Sequence, residues 1–273
     1  MLITDVTDDF LEGDHLGHIS RGMRDTGFHK WGFVVYRAVY GDDELWERYI
    51  AALKIAVHQY LVHCGREHLL EQYADWTVKD GLAEEERNTE NAIASKDHVR
   101  RLFVQWRDQH EVRRSRFMFL NFLQTSTRLP RFTYCIYVDH KCLVSLGTHE
   151  KGKYERLSPR LGLSSSPLVV VLIDGDYELK EKDSEGESSK EHKGEKPTDN
   201  QGSSEDEDED YSEDDEEDYP FIEGCTAEYV GWTYEDAECL AGAYHHLHQR
   251  PMFYPGSYVR PPALAPYGFD QVE

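Results

Sequence analysis

The chain lacks most of the short motifs that announce a chemistry. It has five cysteines in 273 residues. Cys64, Cys135, Cys142, Cys225 and Cys239 are odd in number and form no CxxC pair, which argues against a disulfide framework and against a paired-thiolate zinc site. There is no P-loop, dinucleotide fingerprint, G-x-S-x-G elbow or HExxH helix, so no cofactor, metal or catalytic residue is expected from motifs. No apolar run approaches the ~18 residues of a membrane span. The longest, PLVVVLI at 167–173, has the length of a strand. The opening MLITDVTDDFLEGD lacks the charged-then-apolar layout of a signal peptide. Together these absences predict an intracellular protein, cytoplasmic or nuclear, neither secreted nor membrane-bound, with reduced thiols.

Positive charge is also scarce. Lys and Arg number 30 against 53 Asp and Glu, for a net charge of −23. Phosphate contacts need clustered cations, so direct nucleic-acid binding is not expected. The acidity is concentrated in one run, EDEDEDYSEDDEED at 205–218. Its acids are Glu205, Asp206, Glu207, Asp208, Glu209, Asp210, Glu213, Asp214, Asp215, Glu216, Glu217 and Asp218. These twelve supply about half of the −23 and leave −11 for the rest. The run sits inside 180–219, a low-complexity stretch without an aliphatic residue. Such a stretch cannot bury enough surface to offset the entropy of ordering, and it is expected to be a disordered acidic insertion. Ser203, Ser204 and Ser212 precede acids at close spacing, the pattern an acid-directed kinase reads, and each phosphate would add roughly −1.5 to −2 charge.

Outside the insertion the chain reads as globular. Residues 1–28 are polar and mixed, a flexible N-terminal lead-in. WGFVVYRAVY, 31–40, is a strand apolar enough to be buried on both faces. Asp42 or Asp43 can cap the helix that follows, about 45–64. Its residues Leu45, Tyr49, Leu53 and Val57 form one apolar stripe, and Gly65 stops it. A shorter helix over 66–78 and a polar loop over 80–96 precede a third helix carrying Val99, Leu102, Phe103 and Trp106. RFTYCIYVDHKCLVSL, 131–146, reads as a strand broken at Asp139–His140. PLVVVLIDGDYEL, 167–179, is another strand, ending in a turn-prone DGD. YPFIEGCTAEYVGW is strand-like, and TYEDAECLAGAYHHLHQ is a helix with Thr233 as its cap. The tail 251–273 is too rich in proline for a helix or a central strand and is expected to pack as an extended arm. The order predicts an α+β fold: one domain over 29–179 and 220–250, with a small, mainly antiparallel sheet covered by helices on one face.

The stretch WGFVVYRAVYGDDELWERYIAAL resembles the opening signature of a family of uncharacterised proteins from filamentous fungi. The matching residues are Trp31, Gly32, Phe33, Tyr36, Arg37, Tyr40 and Trp46. YCIYVDHKCLVSL, VVVLID and EYVGWTYEDAECLAGAYHHL resemble later segments of that family, so the resemblance spans about 31–248. It implies a fold and a source, and it assigns no catalytic residue.

Four residues are candidates for a pocket over the sheet. Arg37 lies in an apolar strand and needs a partner, either Asp42 or Asp43 or a bound anion. Asp139, His140 and Asp174 follow strands, where carboxylates build either active sites or plain turns. Other constellations favour plain readings. Cys64 beside His63 falls at a helix C-terminus, where the dipole disfavours a thiolate. His245, His246 and His248 offer too few convergent zinc ligands. Arg100, Arg101, Arg107, Arg113, Arg114 and Arg116 are expected to pair with acids of their own domain. Two functions remain open. One is a non-enzymatic interaction module whose acidic arm contacts basic proteins or aids solubility. The other is an enzyme or small-molecule binder using that pocket.

Overall fold

The stretches VVYR, YCIYV and VVVLID leave neither face to water, and they form the centre of a six-stranded sheet. The computed structural model describes residues 16–26, 28–87, 92–118, 129–152, 156–158, 163–164, 167–177, 219–254 and 258–265. In chain order the elements are α1 (Gly17–Thr26), β1 (Val34–Arg37), α2 (Asp43–His63), a π-helical turn (Leu69–Tyr73), β2 (Val78–Asp80), α3 (Glu84–Arg87), α4 (Lys96–Met118), α5 (Pro130–Thr133), β3 (Tyr134–Val138), α6 (His140–Gly152), β4 (Arg156–Ser158), β5 (Leu163–Ser164), β6 (Val169–Asp174), β7 (Trp232–Asp236), a 3-10 turn (Ala237–Cys239), α7 (Leu240–Leu247) and β8 (Leu264–Ala265). The main sheet runs β2-β1-β3-β6-β7-β8, and β4 pairs with β5 separately.

The sheet is mixed and mostly parallel, which corrects the mainly antiparallel α+β expectation. β1 is parallel to both β2 and β3, and β7 is parallel to β8. Only β3–β6 and β6–β7 are antiparallel. The cause is the helical matter after β1: a crossover through helices returns the chain in the same direction. The result is a single α/β domain. Helices cover both faces, not one. Alternation along the strands places Leu172 and Thr233 on the face that carries α2 and α7. On the opposite face, α4 sets the Lys96 ammonium 4.0 Å from the centre of the Trp232 ring and 5.6 Å from that of Tyr137.

Several local expectations change. The lead-in contains α1, because Leu16, Ile19 and Met23 form a short buried stripe among polar neighbours. The segment after Asp139 is helix α6, not strand, and Cys142, Leu143 and Leu146 are its buried face. The helix expected over 66–78 is shorter, covering 67–73 with its π-helical turn before the chain enters β2, and α3 lies within the expected loop 80–96. The tail adds β8 as a parallel edge strand. Thr233 Oγ1 donates to the Val259 carbonyl at 2.7 Å, which holds the tail against β7. The α2 reading stands closest to its sequence. The Leu45 amide donates to Asp42 Oδ1 at 2.8 Å, and Gly65 ends the helix at φ 68°.

Arg131 fastens the start of β3 to the neighbouring chain. Its guanidinium donates to the Gly32 and Asp75 carbonyls, both at 3.0 Å, and to Asp75 Oδ2 and Thr77 Oγ1, both at 2.8 Å. The described residues of this domain fall within 1–177 and 228–273, and 178–227 separate from it. Of the expected acidic insertion 180–219, only Tyr219 belongs to the described residues, so 180–218 lie outside them. Residues 219–227 form a turn in which Ile222 and Cys225 exchange backbone hydrogen bonds of 2.9 and 3.0 Å. Among the described residues no helix is long and apolar enough to cross a membrane.

Candidate functional site

The sequence WTYEDAEC divides differently from its helical reading. Trp232–Asp236 is strand β7, and the cap is Asp236, not Thr233: Asp236 Oδ1 accepts from the Glu238 amide at 3.0 Å. With strand alternation, Thr233 and Glu235 point to the same face as Leu172. From the other side, Cys239, Gly242, Ala243 and His246 follow helical spacing along the 3-10 turn and α7. These two rows enclose a cavity of about 580 Å³, completed by Tyr60, Leu247, Gln249, Arg250, Met252, Val259 and Ala265. Small residues on α7 keep the space open. A Cβ placed on Gly242 would stand 3.4 Å from the Tyr60 hydroxyl. The volume falls in the range of roughly 300–1,000 Å³ occupied by small-molecule sites.

Glu235 is the chemically distinctive group in this wall. It is only 7 % exposed. Burial pushes its carboxyl pKa up to about 8, and the neighbouring charge of Asp236 pushes in the same direction. The Asp236 amide opposes that shift by hydrogen bonding, and no cation offsets it. Near neutral pH the side chain is therefore mostly the neutral acid, able to donate a proton in a hydrogen bond. Its carboxyl is not a sealed orphan, since neither oxygen is among the fully enclosed polar atoms without a partner. It faces the cavity.

Asp174 lies apart from the other expected pocket residues: Arg37, Asp139 and His140 stand at one end of β1 and β3, and Asp174 at the other. Arg37 ends β1 and is bound at home: Nη2 lies 2.7 Å from Asp43, Nε donates to the Val39 carbonyl at 3.0 Å, and the guanidinium packs over Tyr40 and Trp46. Asp139 caps α6 by accepting from the Cys142 amide at 3.0 Å. His140 is an exposed residue at the start of that helix. Asp174 pairs with Tyr134 at the far end of β3, while Arg37 pairs with Val138. At about 3.3 Å per residue the five residues of β3 separate those ends by roughly 15 Å. The acidic run, with Ser203, Ser204 and Ser212, lies outside the described residues.

Asp174 instead belongs to a closed polar knot. Its Oδ2 accepts from the Tyr229 hydroxyl at 2.6 Å and its Oδ1 from the Asp176 amide at 2.8 Å. Burial raises its pKa, the two hydrogen bonds and Arg100 lower it, and Asp176 adds to the rise. Arg100 donates to the Asp174 carbonyl at 2.9 Å and also pairs with Asp97, and Arg107 pairs with Asp176 at 2.5 Å. Part of the arginine-rich helix is thus committed to acids of its own domain. The histidines form a packed group with α1: His18 lies 4.6 Å from His245 and 6.1 Å from His248, ring centre to centre. Among the described residues no group of three or more His, Cys, Asp or Glu is placed to hold a metal ion.

Sequence reasoning missed Glu235 because a helix beginning at Thr233 makes it an ordinary first-turn acid, favoured by the dipole. The available signal was the alternation in WTYE, which fits a strand. No family model, no curated protein and no solved structure matches this chain.

Proposed function

We propose that the folded domain binds a small, mostly apolar molecule in the cavity between α2, α7 and β6–β7–β8, with neutral Glu235 donating a hydrogen bond to an oxygen acceptor of that ligand. One observation carries the reading: a buried carboxyl with one backbone amide and no cation beside it opens into a mostly apolar cavity of ligand size. Such a group is costly to maintain without a partner. A bound acceptor supplies one.

The test uses octan-2-one, an apolar chain with a single carbonyl, titrated calorimetrically at about pH 6.5 and about pH 9.5. A carboxyl with a pKa of about 8 is mostly neutral at the lower pH and mostly ionised at the higher. Its donor is then lost, and affinity falls roughly thirtyfold. In Glu235→Gln the amide still donates, so affinity is the same at both pH values. Equal affinity of the unaltered protein at the two pH values, or no binding, contradicts the proposal.

The acidic run supports a second, separate reading. We propose that 205–218, with twelve acids in fourteen residues, contacts basic protein surfaces through salt-sensitive attraction. A pull-down at about 50 mM salt should retain basic proteins and lose them when 203–218 are deleted. Identical recovery with and without the run overturns it. Membership of the fungal family is likewise a proposal, carried by the Trp31–Tyr40 signature.

A further inference from the structure

The cavity's charge runs against that of the chain. The protein carries a net charge of −23, yet the only acidic side chain among the described cavity-lining residues is Glu235, which is mostly neutral near pH 7. The same lining includes Arg250, with Gln249 and His246 beside it. Arg250 is exposed. Its guanidinium packs over the Tyr254 ring at 5.3 Å, and among the described residues it forms no ion pair with a carboxylate. Arg48, Arg87, Arg100, Arg107 and Arg131 by contrast all pair with acids. The lining is therefore net positive, with its cation among exposed residues and its neutral acid in the buried wall. The same lining also includes the apolar residues Leu172, Ala243, Met252 and Val259.

From this arrangement we infer that the ligand is an apolar carboxylate or phosphate monoester, its anionic group against Arg250 and its apolar body in the cavity, with an oxygen acceptor reaching Glu235. The inference rests on the binding role proposed for the cavity and adds the charge class of what enters it. A guanidinium suits either oxyanion by presenting two parallel N–H donors. An exposed cation in the lining of a cavity also favours the approach of anions to it. A cationic ligand would meet Arg250 on entry and find its counter-charge only after Glu235 lost a proton.

The test compares 7-oxooctanoate with octan-2-one, a matched pair in which a carboxylate replaces a terminal methyl. Both are titrated into the full chain at low salt and about pH 6.5. The carboxylate should bind roughly fivefold more tightly, as expected for one largely exposed ion pair, and the preference should shrink as salt rises. In Arg250→Gln the ratio of the two affinities should fall to about one. The phosphate monoester of 8-hydroxyoctan-2-one, which keeps the ketone, is tested beside them and separates the two oxyanion sources. Binding of octan-2-one with no preference for either anion overturns the inference and leaves the pocket reading standing. A preference that survives Arg250→Gln unchanged also overturns it. Failure of all three probes to bind overturns the pocket reading itself.

Discussion

Asp174 and Glu235 are both carboxyls on strands of one sheet, both buried, and both shifted upward chiefly by desolvation. Their surroundings differ. Asp174 receives a tyrosine hydroxyl and a backbone amide, and Arg100 stands close by. Glu235 has one backbone amide, a repulsive acidic neighbour and open space. The first is a finished knot, in which each polar group is a partner for another. The second is half of an interaction. A buried polar group that is satisfied contributes modestly to stability, whereas one left open costs free energy. The contrast separates a carboxyl that serves the fold from one that serves a ligand.

The largest expected effect is on the pH dependence of folding. Glu235 holds its proton in the folded state up to about pH 8, while the unfolded chain releases it near the ordinary glutamate value of 4.5. Between those values the folded state binds more protons, so its stability declines as pH rises through that window. The full shift corresponds to on the order of 5 kcal/mol. Urea unfolding from pH 5 to 9 should show that decline, and Glu235→Gln should remove most of it. Parallel pH profiles for the two proteins would break the comparison on the Glu235 side.

The knot is tested next. Asp174→Ala leaves the Tyr229 hydroxyl and the Asp176 amide without their acceptor, at a cost of about 3 kcal/mol. At pH 8 the two acids should therefore respond oppositely. Asp174→Ala loses stability, whereas Glu235→Gln holds or gains it. Tyr229→Phe removes a single donor from Asp174 and should cost about 1 kcal/mol by the same unfolding measurement. If Asp174→Ala proves as harmless as Glu235→Gln, the two carboxyls do not differ as described.

The smallest effect concerns a third titrating place, the α1–α7 contact. Burial lowers the pKa of His18, and Arg21 and His246 add to the effect. The folded state thus holds His18 neutral, and the stability this gives is lost as pH falls through the ordinary histidine range near 6.5. His18 is only half-buried, so solvent screening keeps the effect to a few tenths of a kcal/mol. Amide exchange of 17–26, corrected for intrinsic pH dependence, should quicken at about pH 5 relative to the remaining helices.

Much of the local structure was legible in the residues. β1, α2, β3 and β6 announce themselves by apolar runs, caps and stops, all of which act within a few positions. Arg37 was read as needing Asp42 or Asp43, and it meets Asp43. Long-range choices were not legible. Nothing in VVYR says that its neighbours run parallel to it, because pairing direction depends on helices dozens of residues away. A short amphipathic stripe such as Leu16, Ile19 and Met23 reads as helix only once α7 is there to cover it. KCLVSL carries enough apolar residues for a strand, and the Asp139 cap makes it a helix. The candidate site suffered most from one such ambiguity. With TYED taken as a helix start, Glu235 faces water. As a strand, the same residue turns into the core and gains its chemistry. Arg37, Asp139 and Asp174 attracted notice as isolated charges beside strands, yet each is already engaged locally.

The most direct test is a carbon-13 NMR titration of the Glu235 side-chain carboxyl in the full chain, assigned by its disappearance in Glu235→Gln. The account predicts a midpoint near pH 8, with the resonance shifting further when octan-2-one is added at about pH 6.5. A midpoint in the ordinary glutamate range, near 4.3, with no response to the ketone, would contradict it.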